Sequence, residues 1–77
     1  MKDIESTVID IIANELRLKT SEVTLESEFV NDLGVDSLDY VNLLVTLEDE
    51  FKIVFDEDSH KDVTTVKMLV EAIKLKL

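Results

Sequence analysis

The sequence predicts an all-α fold: a four-helix bundle with three long helices, one short helix and a long first loop. Apolar residues recur at three- and four-residue steps in three stretches, which is the period of an amphipathic helix. The 77 residues include no proline and one glycine, so little in the composition interrupts a helix. A chain of this length forms one domain with a small core, and we expect that domain to span residues 1–77.

The first long helix is predicted from Asp3 to about Lys19. One apolar stripe marks it, formed by Ile4, Val8, Ile11, Ile12 and Leu16. The periodicity fails from Thr20 to Asp36, which predicts the long loop, with a short helix around Ser21–Leu25 as an alternative within it. The isolated apolar residues that can pin this loop across the bundle are Val23, Leu25, Phe29 and Leu33.

The second long helix is predicted from Ser37 to about Lys52. Its buried arc consists of Tyr40, Val41, Leu43, Leu44, Leu47 and Phe51. Its solvent arc consists of Asp39, Asn42, Thr46, Asp49 and Glu50. Leu38 and Val45 lie at the boundary, where aliphatic side chains most often form the edge of a core. Because carboxylates surround them beside Ser37, they also suit a small docking patch with an apolar centre and a charged rim.

The remaining elements are shorter or less certain in their limits. Residues 53–55 are apolar but have no strand to pair with, so an extended connector is expected. A short helix is predicted from Asp56 to about Lys61, with Asp56 as its cap. Either Thr64 or Thr65 caps the last long helix, which runs to Leu77.

The net charge of −10 argues against nucleic acid or an anionic membrane surface as a partner. The charge is unevenly distributed, because 13 of the 18 acidic residues but only 2 of the 8 basic residues lie between Glu22 and Asp62. Such a segment can simply keep a domain soluble. It can also steer the chain toward basic partners, and we favour this interpretation because Ser37 lies in the same segment.

Several classes of function find no support in the residues. The chain has no cysteine, which excludes disulfides, thiolate metal sites and a cysteine nucleophile. The single histidine, His60, lies in a polar stretch, and there is no Gly-x-Ser-x-Gly elbow or glycine-rich phosphate loop. The acidic residues at 56–58 and Asp62 lack the ligand spacing of an EF-hand. We therefore expect no enzymatic activity and no metal site.

Targeting signals are also missing from the sequence. No apolar run reaches the length of about 20 residues that a membrane-spanning helix needs, and the first residues lack the order of a signal peptide. The expected location is the cytoplasm, and the expected state is a monomer.

The stretch from Asp32 to Asp39 carries the strongest functional signal. Gly34 is the only glycine, so it is expected to be the one backbone position free to take positive φ. Asp36 can cap the second helix, which leaves the hydroxyl of Ser37 exposed at the first helical position. A serine in the first turn of a helix is most often only a tolerated polar residue, so its surroundings must decide.

Those surroundings resemble the attachment motif of acyl carrier proteins. The stretch just described, followed by Val41, Leu43 and residues 47–51, matches that family almost position by position, and residues 56–58 and 63–66 fit its later pattern. The resemblance implies that a phosphopantetheinyl transferase attaches 4′-phosphopantetheine from coenzyme A to Ser37. It further implies basic-surfaced acyl-transfer and synthase enzymes as partners, in fatty acid biosynthesis or a specialised related pathway. The partner-binding residues implied are Asp36, Leu38, Asp39, Asn42, Val45, Glu48 and Asp49.

The chain departs from the family pattern at three places. Asn42 stands where glutamate is frequent, Phe55-Asp56 replaces a frequent Ile-Pro, and Tyr40 is bulkier than the usual residue. These departures concern partners and long-chain cargo rather than the attachment site. An aminoacyl or peptidyl carrier fits the sequence less well. The alternative from another class is an unmodified acidic helical adaptor that binds basic proteins.

Overall fold

A computed structural model describes residues 3–56, 58 and 61–77, and within these ranges the fold is all-α. Three helices form it: α1 (Ile4–Leu16), α2 (Ser37–Phe51) and α3 (Val66–Lys76), with one 3-10 turn at Thr20–Glu22. The helix α1 packs against both α2 and α3. The predicted short helix from Asp56 to Lys61 falls largely on positions 57, 59 and 60, which lie outside the described residues, as does His60.

Each of the three helices begins after a polar residue that caps it. The sequence predicts this role for Asp36 and for one of two threonines, whereas Asp3 is predicted as the first residue of its helix. The side chains of Asp3, Asp36 and Thr65 each accept a hydrogen bond from a backbone N–H of the first turn. Of the two threonines considered for the last helix, Thr65 is therefore the cap. Each cap satisfies one of the donors that a helix N-terminus leaves without a partner.

The first helix ends earlier than predicted, at Leu16 rather than near Lys19. Arg17 takes a left-handed conformation with φ of 59°, and the N–H of Leu18 donates to the carbonyl of Ala13 at 2.8 Å. This is a Schellman ending, in which a residue with positive φ reverses the chain. Glycine usually occupies that position, so nothing in the sequence identifies it.

The second helix ends in the same way. Lys52 has φ of 57°, and the N–H of Ile53 donates to the carbonyl of Glu48 at 3.1 Å. The expectation that Gly34 is the one position with positive φ is therefore wrong, since Arg17 and Lys52 share the left-handed region. Residues 53–55, predicted as a connector, are in neither a helix nor a strand.

The core lies between the three helices and the loop, and it is almost wholly aliphatic. Phe29 is its one buried aromatic residue among the described positions. The fully enclosed side chains are Val8, Ile12, Leu43, Leu47, Val66, Leu69 and Ile73. The prediction that Val41 belongs to the buried arc of α2 is wrong, because its side chain is 54% exposed.

Candidate functional site

The turn before α2 presents Ser37 to solvent. Gly34 has φ of 67°, in the left-handed region, as the sequence predicts. The Oδ1 atom of Asp36 accepts a hydrogen bond from the N–H of Asp39 at 2.8 Å, which fixes the start of the helix. Ser37 is the first residue of α2 and is exposed. The positive end of the helix dipole would stabilise a phosphate attached there by roughly 0.3–1 kcal/mol, and the carboxylates of Asp36 and Asp39 would oppose it by about as much.

The loop before this turn is fixed to the start of α3 by backbone hydrogen bonds. Glu28 and Thr65 form an isolated antiparallel bridge, and the N–H of Phe29 donates to the carbonyl of Thr64 at 3.0 Å. The N–H groups of Val66 and Lys67 donate to loop carbonyls at 3.1 and 2.9 Å. The loop thus satisfies donors that the first turn of α3 cannot use internally. In return, α3 holds the loop in one position.

Short-range hydrogen bonds connect this loop to the turn at Gly34. The N–H of Glu28 donates to Oδ2 of Asp32 at 2.7 Å, and the N–H of Leu33 donates to the carbonyl of Glu28 at 3.1 Å. Val35 is buried, and its N–H donates to the carbonyl of Phe29 at 2.8 Å. Gly34 is therefore held on both sides, and the first turn of α2 starts from a fixed point.

A cleft of about 440 Å³ opens beside Ser37. Its walls are largely apolar and come from the loop, from α2 and from the segment before α3. The apolar lining residues are Phe29, Val30, Val35, Tyr40 and Val63. The polar lining residues are Glu28, Asn31, Asp36, Ser37 and Thr64. An apolar cleft with a few polar groups at its edge is the usual form of a small-ligand site.

Two aromatic rings meet at the side of this cleft. The rings of Phe29 and Tyr40 lie edge to face, with centroids 5.6 Å apart and planes at 63°. Tyr40 is half-buried, and burial raises the pKa of its hydroxyl. The hydroxyl therefore stays neutral throughout the physiological range.

The face of α2 next to Ser37 carries a stripe of exposed aliphatic side chains. Leu38, Val41 and Val45 are 69%, 54% and 57% exposed. Their three- and four-residue spacing puts them on one side of the helix, and we call them the aliphatic stripe. The exposure of Leu38 and Val45 fits the docking-patch interpretation better than the core-edge interpretation. Val41 was not predicted to belong to this face.

The acidic residues predicted to bind partners differ in their surroundings. Asp39 and Asp49 are exposed, and Asp49 has Lys52 Nζ at 4.0 Å. Asp36 is exposed but holds the cap of α2. Glu48 turns toward the connector, where its Oε2 accepts a hydrogen bond from the N–H of Phe55 at 2.7 Å. Asn42 is exposed on the same helix.

Other site residues have no local signal in the sequence. Val30, Val63 and Thr64 line the cleft, yet each lies in a stretch without periodicity. The pairing of the loop with α3 joins them to Ser37, and it depends on backbone atoms that any residue carries. The isolated apolar residues of the loop, Phe29 among them, are the one sequence signal that this segment turns inward.

Within the described ranges, no group of three or more side chains is arranged to hold a metal ion. Glu57, which belongs to the acidic run considered for cations, lies outside those ranges. None of the helices in the same ranges is both long enough and apolar enough to cross a membrane.

Comparison with known proteins identifies the family. A model described as the phosphopantetheine attachment site matches residues 6–73. The chain belongs to this family. Acyl carrier proteins from two strains of Porphyromonas gingivalis are each 39% identical to this chain over 77 residues. Each match covers 100% of this chain and 99% of the relative.

Solved structures agree in fold. A Mycobacterium tuberculosis protein assigned as an acyl carrier protein superimposes on this chain with a TM-score of 0.89 at 28% identity. The match covers 97% of this chain and 100% of the Mycobacterium tuberculosis chain. An apo doublet acyl carrier protein from prodigiosin biosynthesis gives a TM-score of 0.81 at 27% identity. That match covers 95% of this chain and 35% of the doublet.

The function is therefore that of an acyl carrier protein, with covalently attached 4′-phosphopantetheine as its cofactor. Proteins of this family interact with phosphopantetheinyl transferases and acyl-transfer enzymes, and they carry substrates rather than convert them. The unmodified-adaptor hypothesis is not favoured. The residues around the cleft fit the group, since an exposed hydroxyl at a helix N-terminus borders an apolar surface.

Proposed function

We propose that Ser37 carries the 4′-phosphopantetheine arm and that the chain presents acyl groups to partner enzymes as thioesters. The position of Ser37 supports this most directly, because it is exposed, follows the Asp36 cap and borders the cleft. When attached, the arm supplies the thiol that the cysteine-free chain lacks.

In the attachment step, Ser37 Oγ forms a bond to the β-phosphorus of coenzyme A. Its proton passes to a base of the transferase, and adenosine 3′,5′-bisphosphate leaves. The chain contributes a hydroxyl at a fixed place, because the Asp36 carboxylate and the Gly34 turn set the first turn of α2. The helix N-terminus favours the phosphate once it is attached.

The same face of α2 is proposed as the partner-binding surface. The aliphatic stripe gives it an apolar centre, and its rim consists of Asp36, Asp39, Asn42, Glu48 and Asp49. Exposed carboxylates attract enzymes with basic surfaces and raise the rate of encounter. The exposed aliphatic side chains then gain by leaving water when the enzyme binds. Partners are thus a transferase and basic-surfaced acyl-transfer and synthase enzymes.

Intact mass tests the attachment site. With coenzyme A, Mg²⁺ and a broad-specificity phosphopantetheinyl transferase, the wild-type chain should gain the mass of one arm and a thiol that alkylating agents modify. Ser37→Ala should stay folded, since Asp36 keeps the cap, and should gain nothing. Ser21→Ala, which changes another exposed serine, is the matched control and should be modified fully. Modification of Ser37→Ala would exclude this site.

Transfer rates test the partner surface. Val45→Ser should slow acyl transfer to partner enzymes, whereas Val54→Ser, at an exposed valine of the connector, should not. Asp49→Lys should slow transfer, whereas Glu71→Lys makes the same charge change on α3 and should have a smaller effect. Equal effects within each pair would mean that no specific face of α2 is recognised. The transfer rates should also fall as salt rises, because salt screens exposed charges that are farther apart than about 8–10 Å at 0.1–0.15 M.

The finer parts of the proposal concern pathway and organisation. We propose one domain over residues 1–77 that acts as a monomer in the cytoplasm and has no catalytic activity of its own. The short helix from Asp56 to Lys61 completes the four-helix bundle, and the helical conformation of Asp58 supports it. The pathway is fatty acid biosynthesis or a specialised relative of it. The likeness to a carrier of prodigiosin biosynthesis supports keeping the second option.

A further inference from the structure

The cleft beside Ser37 and the core of the bundle share a wall. Phe29 and Tyr40 both line the cleft and pack against the buried cluster. Tyr40 follows Ser37 by three residues, so it lies one helical turn further along the same side of α2. The next inward positions are Leu43 and Leu44, which belong to the core. Cargo that extends from Ser37 along the inner face of α2 must therefore pass Tyr40.

The wall is held in place from behind. Phe29 is 3% exposed, its N–H donates to the carbonyl of Thr64 and its carbonyl accepts from the N–H of Val35. The ring of Tyr40 rests edge to face against this fixed ring. The two backbone hydrogen bonds fix the main chain of Phe29 and burial restricts its ring, while movement of Tyr40 would lose the ring contact. Both aromatic rings thus favour a closed wall.

The side chains beyond the wall are fully enclosed. Leu43, Leu47 and Leu69 have no exposed surface and pack in one continuous cluster. Overpacking such an interior is unfavourable, since each added methylene must displace side chains that are already in contact. The cleft itself, at about 440 Å³, is toward the small end of the roughly 300–1,000 Å³ range of small-ligand sites.

We propose that Tyr40 is a specificity-determining residue that, with Phe29, confines cargo to this cleft and makes the chain a carrier of short acyl groups. The inference rests on the proposed attachment to Ser37. Short chains fit between the aromatic wall, Val30 and Val63 and are shielded there. The outer part of a longer chain stays in water. Cargo length is thus limited by the ring of Tyr40, and its removal frees space that a longer chain can occupy.

Hydrolysis of a graded thioester series tests this. A broad-specificity transferase can load Ser37 directly from acetyl-, butyryl-, hexanoyl-, octanoyl- and decanoyl-coenzyme A. The lifetime of each thioester in hydroxylamine is then divided by that of the same acyl group on free pantetheine. In the wild type, protection should rise by up to about fourfold for each methylene buried and then level off at short chains. Continued rise through decanoyl would overturn the proposal without any variant.

Two variants locate the limit at Tyr40. Tyr40→Ala should move the plateau to longer chains, whereas Tyr40→Phe keeps the ring and should leave it unchanged. Tyr40→Leu, which fills more of the space left by the ring than alanine does, serves as a second smaller variant if Tyr40→Ala unfolds the chain by circular dichroism. If thioester protection levels off at the same chain length in the wild type and in the folded smaller variant, the inference about Tyr40 is overturned while the proposed function stands. If Ser37 accepts no arm, the proposed function fails first, and the inference fails with it.

Discussion

Removing the carboxylate of Glu48 should loosen the connector that follows α2. Oε2 of Glu48 accepts the N–H of Phe55 at 2.7 Å, at a partly buried position. Phe55 packs against the core, so this bond fixes an apolar anchor of the extended segment 53–56. In Glu48→Ala the N–H loses its acceptor, although water can reach it in part. Glu48→Gln keeps an amide oxygen that can accept.

The size of the effect follows from the bond. A hydrogen bond of this kind contributes about 1 kcal/mol to the free energy of unfolding when water can compete for the donor. For a domain of 60–100 residues, that corresponds to a fall of about 4–8 °C in Tm. At about 0.05–0.15 kcal/mol per residue, total stability is about 4–12 kcal/mol, so Glu48→Ala should remain folded. Glu48→Gln should lose about half as much, because its acceptor is uncharged.

Urea denaturation and thermal melting of three variants measure this. Glu50→Ala is the matched control, because Glu50 is exposed on the same helix and carries the same charge. It should change stability by less than about 0.5 kcal/mol. If Glu48→Ala is no less stable than Glu50→Ala, the bond to Phe55 contributes nothing and the reasoning is refuted. Slower acyl transfer at unchanged stability would leave Glu48 only its proposed role in the partner-binding rim.

Three further predictions follow from the backbone and the charges. Arg17→Gly should stabilise the chain by up to about 1 kcal/mol and Gly34→Ala should destabilise it by about 1–2 kcal/mol, because both positions have positive φ; urea midpoints that shift in the same direction would contradict this. Hydrogen bonds from the N–H and hydroxyl of Ser6 hold the pKa of Asp3 below its ordinary value of 3.8. The cap therefore contributes its full stabilisation above that pH, and this stabilisation is lost as the pH falls through the lower pKa of the folded state. The Tm difference between wild type and Asp3→Asn should therefore shrink in acid, and a constant difference would argue against it. With a net charge of −10, Tm should rise when salt is raised to about 0.5 M, and a flat or falling Tm would mean that self-repulsion is unimportant.

The starts of the helices could be predicted from sequence because they depend on side chains. Asp3, Asp36 and Thr65 carry oxygen atoms that satisfy backbone donors, and few other residue types do this well. The left-handed endings of α1 and α2 could not be predicted, because nothing in the side chains of Arg17 and Lys52 indicates that conformation. The position at which α2 ends, predicted near Lys52, was correct to within one residue. Tertiary packing of the apolar residue that follows outweighs the local cost there.

Part of the candidate site could likewise be predicted from the sequence, and part could not. Ser37, its cap and the Gly34 turn are contiguous in sequence, so their arrangement could be predicted. The cleft could not, since Val63 and Thr64 reach it only through backbone pairing across the fold. The predicted buried arc of α2 includes one residue too many, Val41, which is exposed. Apolar character alone does not distinguish a core residue from an exposed member of the aliphatic stripe.

The pairing of Glu28 with Thr65 has a consequence for the order of events during synthesis. Helical bundles fold rapidly when most of their contacts are local, but this bridge joins segments separated by the whole of α2. A chain emerging from the ribosome exposes Ser37 well before the residues that hold its loop. The nascent chain then has the hydroxyl without the frame around it. The first turn of α2 therefore reaches its fixed position only once α3 has docked.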